Sequence, residues 1–544
     1  MLEIKRISSL EKIRKPLAQY PEITSLTAVR GERVSFQIGA LCDDFSIIPL
    51  RLSGTASAFA SAYFVEDTVL DLPAVNGIDT DDNYITLEPG LMPDILVPLE
   101  ERNFTIQLDT RPRSIWIDLD IPVDLEAGEY TLTVEGKDVY NTMDDLLVEM
   151  PLTVLPVSKK DADLIYTRWF HGDCIAEYAG VPVYSEKHWE LIEAHMKAAA
   201  KDGMNMILTP IHTPPIDTAK GRYRTSVQLV DIEKRGDEYF FGFEKFDRFV
   251  KIALKSGIKY FEMAHLFSQG GAESAANILV TENQVTGYRF DHKTPSDDPE
   301  YAHFLSCYLT AVTERTKMLG IKENCYYHVS DEPRARHLEA YRKARDTVAP
   351  YVDGAVIFDA LSDYAFYENG LVDYPVTCVD HIDDFLPHNV ENQCVYYCCV
   401  PQYVYPNSYI AQPLPRVRIL GVLLYKFKIK GFLQWGLNFY NSCGSYSNIN
   451  PYLTTSSDRR FPSGDPFILY PTKDGAHCSI RGRSTMEAIS DLALCKTLEE
   501  KIGREKTVAL IDECAGFDVK FDEYPKDADF FATFREKALK MLVK

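Results

Sequence analysis

From about residue 163 onwards, short apolar segments alternate with longer amphipathic segments. The short segments are rich in β-branched and aromatic residues, which is typical of strands, and the longer ones repeat apolar residues at helical spacing. The strand segments are, in order, DLIYTRWF, MNMILTPI, IKYFEMAHLF, ENCYYHVS, GAVIFDA, VTCVDHI, CVYYCCV and FLQWGLNFYN. Strands that alternate with helices form parallel sheets, because each helix returns the chain to the start of the next strand. The alternation therefore predicts an α/β fold with eight parallel strands.

Two folds accommodate this alternation: a closed (β/α)8 barrel and a doubly wound open sheet. An open sheet of this kind usually has a Gly-rich phosphate loop after its first strand. Here the first strand segment ends in TRWFHGD, which is no such loop. We therefore predict a (β/α)8 TIM-like barrel over residues 158–502, with the open sheet as the alternative.

The flanking segments differ from the barrel segment. In residues 1–157, ERVSFQI and YTLTVEG alternate apolar and polar residues, the period of a half-buried strand, between turns rich in Gly, Pro and Asp. This pattern predicts an antiparallel β-sandwich that precedes the barrel. Residues 503–544 are predicted to pack on the barrel as an extension with one strand, TVALIDE, and one helix, DFFATFREKALKML.

Composition excludes several classes of partner. A formal net charge of −22 repels phosphate backbones and anionic membrane surfaces, so we expect neither nucleic acid nor membrane as a partner. The first residues lack the apolar core of a signal peptide, and no apolar run reaches the roughly 18 residues of a membrane span. The 12 cysteines include no CxxC pair, which favours free thiols in a reducing compartment. These features predict a cytoplasmic protein.

Polar and aromatic side chains follow most of the predicted strands. Barrel enzymes bind substrates at the carboxyl ends of their strands, so these side chains are candidates for gripping a hydroxylated ligand such as a carbohydrate. Each has a simpler alternative: a histidine can belong to the core, a tryptophan to barrel packing and an aspartate to a turn. The predicted substrate-binding residues are His171, Asp173, Asp217, His265, His328, Asp359, Tyr396, Trp435, Asn438 and Tyr440.

The sequence HVSDEP, residues 328–333, supplies the candidate catalytic pair, Asp331 and Glu332. Glycoside hydrolysis needs an acid for the leaving oxygen and a partner that stabilises positive charge at the anomeric carbon. Adjacent residues on a regular strand point to opposite faces, so the pair can act together only if the backbone turns there. Pro333 makes such a turn plausible. The alternative interpretation is a helix cap, with Ser330 or Asp331 at the N-cap position.

Cofactor chemistry has no comparable motif. No group of histidines and carboxylates has the helical i, i+4 spacing of a metal site, and no GxSxG motif is present. We therefore predict neither a metal nor an organic cofactor.

Several motifs occur in the order found in one known group. They include WFHGDCIAEY, NMILTPIHTPPIDT, YFEMAHLFSQ, YYHVSDEP, GFLQWGLNFYN and FPSGDPFILYP, and RGERVSFQI precedes them. Together they resemble the domain of unknown function 4091 group, which is related to glycoside hydrolase family 123. The resemblance spans nearly the whole chain.

The resemblance implies a retaining, substrate-assisted β-N-acetylhexosaminidase, typically one that acts on β-linked N-acetylgalactosamine. By that analogy Glu332 is the general acid/base, and Asp331 orients the acetamido group whose carbonyl oxygen attacks the anomeric carbon. A tyrosine commonly contacts that oxygen, and Tyr396, Tyr397 and Tyr440 are the candidates. Trp435 is the expected floor of the sugar site.

The chain departs from the group at two positions, where Gly270 replaces an expected tryptophan and Gln434 an expected histidine. Two alternative functions therefore stay open. One is a glycosidase for sugars without an acetamido group, which would need a separate nucleophile at Asp173, Asp217 or Asp359. The other is a carbohydrate-binding protein that has lost catalysis.

Overall fold

The computed structural model describes residues 2–75, 77–140, 144–352 and 354–543. Strands dominate the chain as far as residue 158. The described strands β1 to β10 are Leu2–Ser8, Leu26–Arg30, Arg33–Cys42, Ser46–Ser53, Ala60–Leu70, Gly90–Pro98, Thr105–Leu108, Arg113–Asp120, Gly128–Gly136 and Leu146–Ser158. β1, β3, β8, β5 and β6 lie side by side in one sheet, and β2, β10, β9, β4 and β7 form a second sheet. The predicted β-rich amino-terminal region is confirmed.

These two sheets share one apolar core. Phe36 and Ile38 of β3 belong to the same buried cluster as Leu132 of β9 and Val148 of β10. Along β10, buried and exposed residues alternate, because one face of the strand contacts this core and the other faces solvent. β3 is instead buried along nearly its whole length.

A closed barrel of parallel strands follows. Its strands are β11 (Ile165–Arg168), β12 (Met206–Thr209), β15 (Tyr260–Met263), β18 (Cys325–Tyr327), β19 (Val356–Ala360), β20 (Tyr374–Cys378), β21 (Cys394–Tyr396) and β22 (Gly431–Gln434). The last strand pairs with the first, with Gly431 beside Ile165, and this pairing closes the barrel. Each strand overlaps one of the predicted segments. The predicted barrel of eight parallel strands is confirmed, and the open sheet is excluded.

Helices and two hairpins occupy the connections between the barrel strands. The hairpins are β13 (Asp231–Arg235) with β14 (Glu238–Gly242) and β16 (Ile278–Glu282) with β17 (Val285–Phe290), which join in a separate sheet. The described α-helices, α1 to α10, are Gly172–Ala179, Glu186–Lys201, Glu244–Lys255, Pro299–Met318, Leu338–Val348, Ala365–Glu368, Pro415–Lys426, Ile480–Ile502, Arg504–Ala515 and Ala528–Val543.

The connection between β20 and β21 departs from a regular β/α repeat. In place of an α-helix, the chain forms two short 3-10 turns, Ile382–Asp384 and Leu386–His388. Pro387 lies in the second turn, and Asn389 directly after it has a positive φ of 49°. Proline removes a helical hydrogen-bond donor and a left-handed residue ends a helical segment, so no longer helix forms here.

The carboxyl-terminal segment also differs from its prediction. The sequence TVALIDE was expected to form a strand, but it lies inside α9. The buried residues of this helix are Thr507, Leu510 and Ile511, whose spacing of three and four places them on one helical face. A short apolar run satisfies either period, and packing of this face beside α8 selects the helix.

Two buried arginines of α8 connect the barrel segment to the amino-terminal strands. Arg481 donates to Asp94 of β6 at 2.8 Å, and Arg483 donates to Asp118 of β8 at 2.8 Å. These side chains are at most 1% exposed. A buried charge without a partner costs several kcal/mol, so each arginine requires its carboxylate.

The strands β23 (Tyr470–Pro471) and β24 (Ala476–Ser479) also cross the predicted domain boundary, since β24 pairs with β6. The division of the chain at residues 157 and 502 therefore stays a prediction. None of the described helices is long and apolar enough to cross a membrane.

Substitution of Gly421 should destabilise the contact between α7 and α8. A Cβ atom at Gly421 would overlap the carbonyl oxygen of Ala488, which cannot move without shifting α8. We expect Gly421→Ala to lower the free energy of unfolding by about 1–3 kcal/mol, the range for overpacked cores. Urea unfolding measures this change. Gly287→Ala is the matched control, because a Cβ there meets open space; equal losses in both variants would contradict the packing argument.

Candidate active site

A cavity of about 120 Å³ lies at the carboxyl ends of the barrel strands. Its walls come from the segments that follow β11, β12, β15, β18, β19, β21 and β22, and most of them are apolar or aromatic. The described lining residues are Trp169, Ile216, Asp217, Gln269, Asp331, Glu332, Ala360, Tyr396, Cys398, Cys399, Leu433, Trp435 and Phe461. A concave, largely apolar site with a few polar groups is the usual form of a small-ligand site.

The two predicted catalytic residues meet in this cavity. Asp331 is 3% exposed and accepts a hydrogen bond from Gln269 Nε2 at 2.9 Å. Glu332 is exposed at the rim, where Tyr396 donates its hydroxyl to Glu332 Oε1 at 2.6 Å. The φ of Glu332 is 44°, a left-handed conformation that is uncommon outside glycine. This turn of the backbone lets two adjacent side chains line one cavity.

The surroundings of Asp331 oppose its ionisation. Burial, followed by the neighbouring Glu332 carboxylate, raises the pKa of Asp331 well above its ordinary value. Two close carboxylates in a desolvated site cannot both ionise easily. These surroundings favour the neutral form of the Asp331 carboxyl group.

The helix-cap interpretation of this segment is wrong. The Ser330 hydroxyl donates to the Ser268 carbonyl at 2.8 Å and accepts from the Ala272 amide at 3.1 Å. These bonds join the loop after β18 to the loop after β15 instead of capping a helix. α5 begins only at Leu338, because the left-handed Glu332 interrupts any helix that would start earlier.

His328 lies directly beneath this loop and is bonded by two carboxylates. Its Nε2 lies 2.6 Å from Glu262 Oε1, and its Nδ1 lies 2.8 Å from Asp359 Oδ1. The three side chains are fully buried. Although burial opposes a charged imidazole, the hydrogen bonds to Asp359 and Glu262 outweigh it and raise the pKa of His328 to about 9. His328 is therefore an imidazolium at neutral pH.

The same network supports both the cavity wall and the catalytic loop. Glu262 also accepts a hydrogen bond from the indole of Trp169 at 2.6 Å. Asp359 accepts from the backbone amide of Val329 at 3.1 Å and from the Tyr341 hydroxyl. Through these bonds, residues on or directly after β11, β15, β18 and β19 hold each other in place below the cavity.

His265 lies against His328, with ring centroids 3.9 Å apart. Burial and the His328 charge lower the pKa of His265 well below its ordinary value, so a neutral ring faces a cationic one. Among the described residues, His265, His328 and Asp359 form the group whose ligand atoms lie close enough, within 4.8 Å, to hold a metal ion. A metal would have to displace a carboxylate from His328. The prediction of no metal stays a prediction.

Asp217 and Trp435 line the cavity, as the strand-end argument predicted. Asp217 Oδ2 accepts from the Gly444 amide at 3.2 Å, and burial raises the pKa of Asp217 to about 6. The Trp435 indole donates to Asp465 Oδ2 at 2.9 Å, which fixes the ring in the wall.

Other predicted residues lie behind the wall. Arg224 forms an ion pair with Asp173 at 2.7 Å and approaches His171 Nδ1 at 3.0 Å, and all three side chains are buried. The side-chain amide of Asn438 accepts a hydrogen bond from the backbone amide of His171 and donates one to its carbonyl oxygen. These residues connect the ends of β11 and β22 and do not line the cavity.

The remaining candidates are also outside the cavity. The Tyr440 hydroxyl donates to the Leu469 carbonyl at 2.9 Å. Gln434 binds Arg168 at 2.9 Å within the barrel, and Gly270 borders open space. Neither Gly270 nor Gln434, the two departures from the known group, lines the cavity. Tyr396 is the tyrosine of the three candidates that lines it.

Sequence reasoning missed several parts of the site. Glu262 lies inside an apolar strand segment, and a carboxylate in such a segment signals a buried partner. Trp169 and Phe461 belong to the quoted motifs WFHGDCIAEY and FPSGDPFILYP, so the motifs pointed to them without a role. Nothing in the sequence marks Cys398 and Cys399 as cavity residues.

A closed parallel barrel with two carboxyl groups in an aromatic-walled cavity has the parts of a barrel glycoside hydrolase. The profile of the family described as glycoside hydrolase 123, catalytic domain, matches residues 169–498. This is more than half of the chain, and the chain belongs to glycoside hydrolase family 123. The protein is therefore a hydrolase of glycosidic bonds, and the alternative of an inactive binding protein is set aside.

A solved structure agrees with this fold. A family 123 glycoside hydrolase from Clostridium perfringens superposes with a TM-score of 0.73 at 16% identity, over 100% of this chain and 98% of that chain. A GH5 xyloglucanase from Bacteroides ovatus has a TM-score of 0.30 at 10% identity, over 91% of this chain and 100% of that chain. A β-glucuronidase from Ruminococcus gnavus has a TM-score of 0.32 at 8% identity, over 84% of this chain and 65% of that chain. The last two scores are too low to support an inference. A search of curated proteins finds no match.

Removal of the buried cation should change how stability depends on pH. Because the pKa of His328 rises from 6.5 to about 9, folding takes up a proton between these values. The stabilisation of the folded state by the protonated His328 is fully present below pH 6.5 and is lost as the pH rises through about 9. The difference between the two pKa values corresponds to about 3 kcal/mol of folding free energy, at roughly 1.4 kcal/mol per pKa unit. Urea unfolding of His328→Gln should show a flatter pH dependence than the wild type.

Two further variants make this test specific. Glu262→Gln removes one of the two carboxylates and should move the loss of stability to lower pH. His303→Gln removes an exposed histidine of α4 and should leave the pH dependence unchanged. Parallel pH profiles in the wild type and His328→Gln would contradict the protonated state.

Proposed function

We propose that this hydrolase cleaves β-linked 2-acetamido sugars, N-acetylgalactosamine in particular, by a retaining, substrate-assisted mechanism. The observation that carries the proposal is the distribution of carboxylates. Asp331 and Glu332 line the cavity as an adjacent pair, whereas Asp173 and Asp359 are engaged in buried networks. A two-carboxylate retaining enzyme needs a nucleophile about 5 Å from the acid. A substrate-assisted enzyme needs none, because the acetamido oxygen attacks.

In the first step Glu332 is the acid. Its proton passes to the glycosidic oxygen as the bond from that oxygen to the anomeric carbon breaks. The acetamido carbonyl oxygen bonds to the anomeric carbon, which gives a cyclic oxazolinium ion. The exposed position of Glu332 at the rim supports this role, since the leaving group must depart past it.

Asp331 orients the acetamido group and stabilises the charge of the oxazolinium. Its burial supports this role, because the forming cation favours ionisation of the adjacent Asp331 carboxyl group, and the two opposite charges interact strongly in a desolvated site. The hydrogen bond from Gln269 fixes the carboxyl group. Trp435, held by Asp465, is the platform below the sugar ring.

In the second step Glu332 is the base. Its carboxylate takes a proton from water as the water oxygen bonds to the anomeric carbon and the oxazolinium ring opens. The product keeps the anomeric configuration of the substrate, and Glu332 is protonated again. Tyr396 donates to Glu332 and lies close enough to the cavity to contact the acetamido oxygen once a sugar is bound.

Family membership supports the substrate class. The superposed Clostridium perfringens enzyme is described in connection with glycolipid glycan hydrolysis. We propose a glycoconjugate or oligosaccharide substrate for this chain too. We also propose that residues 1–157 are a β-sandwich domain and residues 158–502 a (β/α)8 catalytic barrel, which the shared core of the two sheets and the barrel closure support.

One observation favours a second function. Asp217 lines the cavity and could attack a sugar that lacks an acetamido group. The other two nucleophile candidates, Asp173 and Asp359, do not reach the cavity surface. A glycosidase for plain sugars therefore depends on Asp217.

Loss of the acid should depend on the leaving group. Glu332→Gln should lower kcat/KM by at least about 10²-fold for a methylumbelliferyl β-N-acetylgalactosaminide, the usual scale for a lost general acid. The loss should be much smaller for the dinitrophenyl glycoside, whose leaving oxygen needs no proton. Steady-state kinetics measure both. The control Glu339→Gln removes an exposed carboxylate of α5, and equal losses for both substrates would exclude the acid role.

A thiazoline inhibitor separates the two mechanisms, because it mimics only the cyclic intermediate. We expect inhibition of the wild type, and about tenfold or greater weakening in Asp331→Asn, since one tenfold step corresponds to roughly 1.4 kcal/mol. Asp217→Asn should retain both inhibition and turnover. Inactive Asp217→Asn together with an uninhibited wild type would favour the plain-sugar glycosidase instead.

A further inference from the structure

A larger groove adjoins the cavity beyond Glu332. Its volume is about 820 Å³, against about 120 Å³ for the cavity. Glu332 and Tyr396 line both spaces. The hydrogen bond between them therefore stands at the boundary, with the small cavity on one side and the groove on the other.

We propose that this groove binds the leaving-group side of the substrate, and that it prefers uncharged or amine-bearing saccharides to those that carry carboxylate or sulfate groups. The inference rests on the proposed function, because a general acid must contact the glycosidic oxygen. That oxygen joins the reacting sugar to the leaving group. With the reacting sugar in the small cavity, the leaving group extends past Glu332 into the groove.

The charge of the groove sets the preference. Asp363, Asp380 and Asp384 line it, with Arg334 as the arginine among its described residues. His381 lies 4.0 Å from both Asp380 and Asp384. An anionic leaving group would lie close to carboxylates that carry the same charge. The repulsion raises the free energy of the complex with an anionic substrate. An ammonium group would meet the opposite sign.

An aromatic ring gives the groove a platform. Tyr364 lines the groove, and its ring stacks on His388 with centroids 3.9 Å apart. Phe385 contacts the same ring edge-on at 5.4 Å. The orientation of the Tyr364 ring is thus fixed before a ligand arrives, which lowers the entropy cost of binding a sugar on it.

An acidic surface by itself would be only a solvated face. What makes this groove a binding site is its shared wall with the acid: the same two residues border the small cavity and the groove. A ligand that spans Glu332 must occupy both spaces.

The first test compares two substrates with the same reacting sugar. One is a methylumbelliferyl β-N-acetylgalactosaminide, and the other carries a neutral trisaccharide as its leaving group. We expect Tyr364→Ala to lower kcat/KM about tenfold for the trisaccharide substrate and less than about twofold for the short one. Tyr364→Phe keeps the ring and should keep the wild-type ratio. Tyr140→Ala, an exposed tyrosine of the amino-terminal region, is the control.

The second test adds one sulfate to the leaving trisaccharide. The wild type should prefer the neutral substrate by about tenfold, and added salt should reduce that ratio because it screens the carboxylates. The double variant Asp380→Asn with Asp384→Asn should reduce the preference to less than about threefold. Asp124→Asn removes an exposed carboxylate that lines neither space and should leave the preference unchanged.

The outcomes separate the two proposals. Turnover of the short substrate, together with equal effects of Tyr364→Ala on both substrates and no discrimination against sulfate, would overturn the groove assignment alone. Absence of turnover on every 2-acetamido substrate would overturn the proposed function and the groove with it. Circular dichroism of each variant checks that a changed substrate preference is not caused by a loss of folded structure.

Discussion

The active site depends on a buried cation, the imidazolium of His328. A charge in the interior of a barrel is tolerated only when partners satisfy it, and here Glu262 and Asp359 occupy both ring nitrogens. Each of those carboxylates also accepts a further hydrogen bond. Glu262 accepts one from the Trp169 indole, and Asp359 accepts one from the backbone amide of Val329. The position of the catalytic loop is thus a consequence of charge compensation beneath it.

The amino-terminal strands take part in the site through a similar chain of contacts. Asp71, just after β5, accepts hydrogen bonds from Ser456 at 2.6 Å and from Ser463 at 3.0 Å. These bonds hold the segment between β22 and β23, which contributes Phe461 to the cavity wall and Asp465 as the partner of the Trp435 indole. The β-rich region therefore fixes one side of the cavity without lining it. The two buried arginines of α8 make the connection rigid, because neither can leave its carboxylate without a large cost.

The barrel strands could be predicted because their signal is local: four or five apolar, β-branched or aromatic residues between helical segments. The position of Asp331 and Glu332 in the cavity could be predicted for the same reason, since both closely follow such a strand. The partners of buried polar groups could not be predicted, because they are far apart in sequence. Asp173 meets Arg224 from another strand end, and Glu262 meets its histidine only after the barrel closes. Of the ten predicted substrate-binding residues, three line the cavity, and the other seven lie behind its wall.

The same limit explains why two adjacent acids differ in environment. On a regular strand, Asp331 and Glu332 would face opposite sides, and a sequence pattern cannot show where the strand breaks. The positive φ of Glu332 turns the chain so that one carboxyl group is buried against Gln269 and the other reaches the rim beside Tyr396. Burial favours a role in holding charge next to the sugar, and exposure favours exchange of protons with a leaving group and with water. The backbone conformation of one residue thus gives two adjacent carboxyl groups different surroundings, and the different roles proposed for them follow from that difference.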